Sequence, residues 1–220
     1  MDLYVANGNR SGKTTKDYCT QFWCHDIYTG GSQRNPVVER LFETTLRPLN
    51  ERYSWDGYQK NHLFMNLSGE DFVNVAFLMN AALVEDSRCV ISDDFNGDGR
   101  LDLLLTSRTI DFSGGANYDT LHLLTNHWPI QNNWIGVRLQ IEAGGPSSIG
   151  AVIRVRSNST DQLAHIVTGD SYRAQHAPMK HFGLGTDTRV DALEVRWPDG
   201  SINILKDPAI NTYHVVSSRH

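Results

Sequence analysis

The sequence is poor in most of what marks a specialised chain. Its 220 residues hold 7 Pro and 3 Cys, and no residue type dominates. Collagen-like, coiled-coil and low-complexity classes are therefore excluded by composition. Positive charge is also scarce: 20 Lys plus Arg face 25 Asp plus Glu, a formal charge of −5. Such a balance creates no field that draws a chain onto phosphate backbones or anionic lipid, so nucleic acid is not an expected partner. Long apolar runs are absent. Val73 to Met79 is broken by Asn74, and Leu101 to Leu105 by Asp102. Both fall far short of the roughly 20 residues a membrane helix needs, so no span is expected. The opening Met-Asp-Leu-Tyr-Val-Ala-Asn-Gly has neither a basic nor an apolar leader region. Any secretory signal is expected to lie outside this sequence.

What is present is core material. With 40% hydrophobic and 20% charged residues, the chain can build one large or two small globular domains. Its apolar residues alternate rather than recur at helical spacing, and turn residues interrupt them often. Strands are expected over residues 2–6, 62–66, 89–92, 101–107, 120–124, 134–141, 150–156, 163–168, 192–197 and 214–217, making the fold class all-β. One segment departs from this. Asn35 followed by Pro36 reads as a helix cap with Pro at the first helical position, and Val37, Val38, Leu41, Phe42 and Thr45 share a face up to Pro48. A helix is expected from about Pro36 to Arg47, inside a long insertion spanning about residues 9–60. A shift in composition near Trp128-Pro129-Ile130-Gln131 marks a domain boundary, giving 1–131 and 132–220.

The clearest chemistry lies in Asp94-Phe95-Asn96-Gly97-Asp98-Gly99-Arg100-Leu101-Asp102. Oxygen-bearing side chains stand at loop positions one, three, five and nine, with Gly at six. Calcium takes six to eight oxygen ligands, and a tight loop with ligands on alternate residues brings them to one centre. Asp94, Asn96, Asp98 and Asp102, with the carbonyl of Arg100, form the candidate set, and calcium is the expected ion. An EF-hand would place Glu at position twelve between flanking helices. Here that position is Leu105, and the flanks read as strands. The alternative is an acidic turn that binds nothing, although three clustered carboxylates without a cation repel one another.

With its flanks, the stretch from Val90 to Leu105 resembles an FG-GAP, or VCBS, blade of integrin-like β-propellers, in which the matching positions bind calcium. Asp2-Leu3-Tyr4-Val5-Ala6-Asn7-Gly8, Asn61-His62-Leu63-Phe64-Met65-Asn66 and Asp71-Phe72-Val73-Asn74-Val75-Ala76 extend the likeness. From Asn133 onward the chain resembles the ASPIC/UnbV domain of the cartilage acidic protein-like family. The residues concerned are Asn133 to Leu139, Ile149 to Val155, Gly169-Asp170-Ser171-Tyr172-Arg173-Ala174-Gln175, His181-Phe182-Gly183-Leu184-Gly185 and Val190 to Gly200. The resemblance implies a partial propeller-like blade segment with a helical insertion, followed by a β-sandwich-like ASPIC/UnbV domain. It also implies a calcium-bound, secreted or cell-surface protein, periplasmic in a bacterium, used for binding or adhesion, with no catalytic residues to carry over. A closed propeller needs several blades. The exposed strand edges therefore call for remaining blades, a second copy or another partner.

Other signals in the sequence have plainer explanations. Asn7 to Thr14 ends in Gly-Lys-Thr after a strand but has Asn7 where a phosphate-binding loop needs Gly. Cys24-His25-Asp26, with Cys19 nearby, lacks the second ligand pair of a structural zinc site. Cys19 and Cys24 are close enough to form a disulfide, or all three thiols are reduced, with Cys89 a buried strand residue. Ser171 lies in Gly-Asp-Ser-Tyr, outside any nucleophile elbow. Asp191 and Glu194, three apart in a strand, project to opposite faces. Asn66-Leu67-Ser68 and Asn158-Ser159-Thr160 match the glycosylation acceptor pattern. Tyr172, Arg173, His176 and His181 form the densest polar and aromatic group, with the two histidines flanking a Pro178-Met179 turn, and are the candidate ligand-binding residues. The expected function is a calcium-binding extracellular recognition or adhesion module, non-catalytic, with a protein or carbohydrate ligand. The alternatives are a calcium-dependent enzyme acting on a polysaccharide or secondary metabolite, and a structural cap of a longer propeller.

Overall fold

The structure, a computed structural model, describes residues 2–17, 35–41, 53–111, 116–129 and 132–218. The chain divides into two compact units. The first comprises residues 1–90 and 105–122, the second 91–104 and 123–220. The second unit thus takes in the loop 94–102 together with the chain beyond the expected boundary near 131.

Strands of the first part of the chain are β1 (Leu3–Val5), β2 (Thr14–Asp17), β3 (Tyr53–Ser54), β4 (His62–Leu67), β5 (Asp71–Asn74), β6 (Asp86–Asp93), β7 (Asp102–Thr109) and β8 (Tyr118–Leu124). They form a sheet β1-β4-β5, a parallel pair β2-β3 and a sheet β6-β7-β8. Helix α1 (Pro36–Leu41) begins where expected, the Asn35 side chain accepting the Val37 N–H at 3.0 Å. Its expected continuation to Arg47 lies outside the described residues, as do Cys19, Cys24, His25 and Asp26. Cys89 is half-buried with a free thiol, its Sγ 3.0 Å from Thr106 Oγ1.

Polar side chains organise the first unit. Asn61, 1% exposed, accepts the Asn7 N–H and donates to Tyr4 Oη and Ser87 Oγ. Buried Asp86 accepts the Ser11 N–H and hydroxyl, and the Arg88 guanidinium donates to the carbonyls of Gly8 and Asn9. These bonds fix the Asn7 to Thr14 segment by spending on protein the N–H of Ser11 and, on Ser54 Oγ, that of Gly12. A phosphate cradle needs such N–H groups free.

The second unit carries β9 (Asn133–Gln140), β10 (Val152–Ser157), β11 (Asp161–His165), β12 (Met179–Gly185), β13 (Val190–Arg196), β14 (Ile202–Lys206) and β15 (Tyr213–Ser217). They form two sheets, β12-β9-β15 and β11-β10-β13-β14. β9 pairs antiparallel with β12 and parallel with β15. Alternate residues of both sheets enter one core: Ile135, Val137 and Leu139 from β9, Ile153 and Val155 from β10, Leu193 and Val195 from β13, with Phe182, Leu184 and Val216. Each such aliphatic contributes about 1.5–3 kcal/mol on burial. Trp197 closes the core, and its Nε1 donates to Asn203 Oδ1 at 2.6 Å. The all-β, sandwich-like expectation holds.

Five strands were not expected from the pattern: β2, β3, β5, β12 and β14. β12 holds two glycines and follows Pro178, so its sequence reads as a turn. Its Met179, Phe182 and Leu184 are nevertheless buried. β14 follows the Asp199-Gly200 turn as a short edge strand with no buried residue, and β2 and β3 sit in Gly- and Ser-rich surroundings.

Candidate functional site

The loop between β6 and β7 is shaped by its own N–H groups. Asp94 Oδ1 accepts from Gly97 N at 2.8 Å and Asp98 N at 3.0 Å, and Oδ2 accepts from Gly99 N at 2.8 Å. Gly97 and Gly99 take φ of +76° and +84°, which glycine adopts without a Cβ penalty. Asn96 Oδ1 accepts from Asp98 N. Asp98 Oδ1 accepts from Arg100 N, while its Oδ2 meets the Asn96 amide and the Arg100 guanidinium. Desolvation of Asp98 works the other way, but these donors and the Arg100 charge hold its carboxyl below the usual range. Asp102 is fully buried and accepts from Phe95 N at 3.2 Å and Asn126 N at 2.8 Å.

The side-chain oxygens of Asp94, Asn96, Asp98 and Asp102 thus all accept from N–H donors. Among the described residues, no group of three His, Cys, Asp or Glu stands at metal-ligand spacing. The donor set is all oxygen, as a hard cation requires. Asp102 retains a second acceptor position on each oxygen. Arg100 pairs with Asp98 yet leaves its own buried Nε without a partner, so this arrangement is incompletely satisfied.

An aromatic cluster of the same unit seats the loop. The Tyr213 hydroxyl donates to Asp94 Oδ2 at 3.1 Å. His181 Nδ1 lies 3.2 Å from that hydroxyl. Because the one phenolic proton goes to the carboxylate, the His181 bond requires the proton on Nδ1. His181 stacks on Trp134 with centroids 4.8 Å apart and planes at 17°, and Tyr213 tilts against the same indole at 4.8 Å. Burial lowers the His181 pKa, opposed by the charges of Asp94 and Asp93. Burial, the negative charge of Asp94 and the bond to it push the Tyr213 phenol far above its ordinary value. Tyr213 is thus a fixed donor rather than an acid or base working near neutrality.

Glycines make this seat. In the sheet register, Gly136 of β9 lies between His181 of β12 and Tyr213 of β15. A Cβ at Gly136 would stand 1.9 Å from Tyr213 Cδ1, so only glycine lets the phenol lie across the strand. A Cβ at Gly99 would stand 2.4 Å from Trp134 Nε1. Sequence reasoning missed Trp134, Gly136 and Tyr213. The one available signal was glycine inside an otherwise regular strand, a mark of close approach.

The four ligand candidates have different partners. His181 belongs to the aromatic seat. His176 Nε2 accepts the Ser92 N–H at 3.1 Å, while its Nδ1 makes a close but poorly aligned contact, 3.0 Å, with Asp170 Oδ2. Partial burial opposes ionisation of Asp170, yet the His176 N–H and ring, with Lys180, hold its carboxyl below the usual range. This pins a turn in which Ser171 bridges Ala174 and Arg173 takes φ of +55°. Tyr172 stands 59% exposed at the tip with the Arg173 guanidinium 5.2 Å from its ring centroid. Pro178-Met179 leads directly into β12, so the histidines flank a strand start. Asp191 is exposed beside Arg189, and Glu194 lies between Arg156 and Arg196.

The comparisons agree with the resemblance of the C-terminal half. Over 109 residues the chain is 34% identical to cartilage acidic protein 1 of Xenopus tropicalis and 32% identical to the proteins of that name in Mus musculus and Homo sapiens. The matched stretch is 50% of this chain and 16%, 16% and 15% of those proteins, so the chain spans about a sixth of the relatives it matches. Residues 142–220, which fall within the second compact unit, match the family described as ASPIC and UnbV.

Proposed function

We propose that the chain is a non-catalytic recognition module of an extracellular, matrix-type protein, holding calcium in the loop Asp94 to Asp102 and presenting a rigid surface to a protein or carbohydrate. The observation that carries this reading is the seating of Asp94. Three loop N–H groups and the Tyr213 hydroxyl fix its carboxylate, and Trp134 packs on Gly99. A loop so ordered loses little conformational entropy when it takes a ligand.

Calcium would be held by Asp94, Asn96, Asp98, Asp102 and the Arg100 carbonyl. Asp98 would exchange the Arg100 guanidinium for the cation, and Arg100 would turn to solvent with its unsatisfied Nε. The positive ion would relieve three carboxylates gathered in nine residues. Support for an extracellular address comes from the relatives, named for cartilage and for acidity, the latter matching the net charge of −5. The exposed pair Tyr172 and Arg173, residue types enriched at binding hot spots, is the proposed contact surface. The FG-GAP resemblance supports a further element of the proposal: the β1-β4-β5 and β6-β7-β8 sheets serve as blade elements, their open edges covered by more blades or a second copy.

Calorimetric titration with calcium tests the reading. One saturable heat for the native chain, lost in Asp98→Ala and not produced by magnesium at the same concentration, is expected. No heat in the native chain would remove calcium from the proposal.

A further inference from the structure

The sheet β11-β10-β13-β14 buries one face in the core and exposes the other. Register fixes the exposed rows: Leu163, Arg154, Glu194 and Ile204 lie side by side, next to Asp161, Arg156, Ala192 and Lys206, with His165, Val152, Arg196 and Ile202 on the far side. Three Arg and one Lys meet only two carboxylates there, in a chain that is net negative. Arg154 is committed to Asp161 through two hydrogen bonds. Arg156 and Arg196 are not: each reaches Glu194 only at ion-pair distance, 3.7 and 3.8 Å, too long for hydrogen bonds. Both side chains are well exposed, and Arg196 lies beside exposed Ile202 of β14.

β14 ends this sheet. Trp197 N bonds Ser201 O, and Asp207 N bonds Asp191 O, at the two ends of the β13–β14 pair. Antiparallel alternation then turns the backbone groups of Asn203 and Leu205 toward β13 and those of Ile202, Ile204 and Lys206 outward. Among the described residues no strand pairs with that edge. A groove of about 300 Å³ runs along it, lined by Ser201, Ile202, Asn203, Ile204 and Leu205.

We propose that the free edge of β14 and the arginine-bearing face beside it take an extended acidic peptide segment of a partner protein, added as a fifth strand. The outward N–H and C=O groups need a backbone partner, which a peptide supplies and a polysaccharide does not. Alternate carboxylates on such a strand fall on the same face as Arg196, one strand in from β14, and Arg156, two strands in, so its charge complements theirs. The intervening side chains lie along the groove. Nothing in this proposal depends on calcium.

The probe is a fluorescein-labelled octapeptide of alternating Glu and Thr, titrated with the full chain by anisotropy at low salt. Saturable binding is expected, with none for the Lys-Thr counterpart. Combined Arg156→Glu and Arg196→Glu is expected to weaken binding about tenfold or more. Ile204→Pro removes only an outward N–H, which an edge strand tolerates, and is expected to weaken binding similarly with the melting temperature nearly unchanged. The same peptide N-methylated at alternate residues tests the backbone pairing on the native chain. Three results would overturn the proposal: no saturable binding, equal affinity for the N-methylated peptide, or binding of heparin without binding of the acidic peptide.

Discussion

The Tyr213 hydroxyl donates to Asp94 Oδ2 across 119 residues of sequence, tying the first position of the acidic loop to the last strand of the sandwich. A hydrogen bond to a carboxylate contributes more than a neutral one, about 1.5–3 kcal/mol where both groups are partly shielded. Tyr213→Phe keeps the ring against Trp134 and removes only the donor. Its unfolding free energy in urea is expected to fall by about 1.5 kcal/mol with an unchanged m-value. An unchanged midpoint would show that the bond contributes nothing to the fold.

Gly136→Ala tests the seat from beneath. The added Cβ meets Tyr213 Cδ1 at 1.9 Å and Cε1 at 2.2 Å, and the phenol has to move off Asp94 or the strand has to shift. Overpacking of this kind costs about 1–3 kcal/mol. Gly183→Ala, in the neighbouring strand, meets nothing within 4 Å and serves as the matched control. Thermal unfolding is expected to show a lowered midpoint for the first and little change for the second.

His181 gives the account a pH dependence. Burial lowers its pKa below the ordinary 6.5, so between the two values the unfolded chain binds a proton that the folded chain refuses. The stability tied to the neutral ring is complete above about pH 6.5 and is lost as pH falls from there through the folded value. His181→Phe keeps the stack on Trp134 without titrating. Melting temperature followed from pH 8 to 5 is expected to fall less steeply in this variant than in the native chain, the other histidines being common to both. Parallel curves would contradict the assignment.

What the sequence disclosed and what it hid have physical reasons. Alternation in Trp134 to Ile141 and Gly150 to Arg156 comes from strands with one face in the core, and both became β9 and β10. Met179 to Gly185 escaped because its glycines and the preceding proline carry turn chemistry, while the packing of Phe182 and Leu184 that makes it a strand is tertiary. The oxygen-bearing side chains of the loop were legible because they are local, most of them on alternate residues. Trp134, His181 and Tyr213 converge only through strand register, which no local pattern records. The grouping of His176 with Tyr172 was legible as composition only, since the Asp170 contact and the Ser92 bond that hold His176 depend on the fold.

The central claim is that the loop Asp94 to Asp102 is a calcium seat built into the second unit. The most direct measurement is thermal unfolding of the native chain and Asp98→Ala in calcium and in chelator. At a free calcium concentration about a hundred times the dissociation constant, one site binding only the folded state adds about 2.7 kcal/mol. A raised midpoint in calcium is expected for the native chain, with coincident curves for Asp98→Ala. Coincident curves for the native chain would contradict it, leaving the loop as a self-bonded acidic turn held by Tyr213 and Trp134.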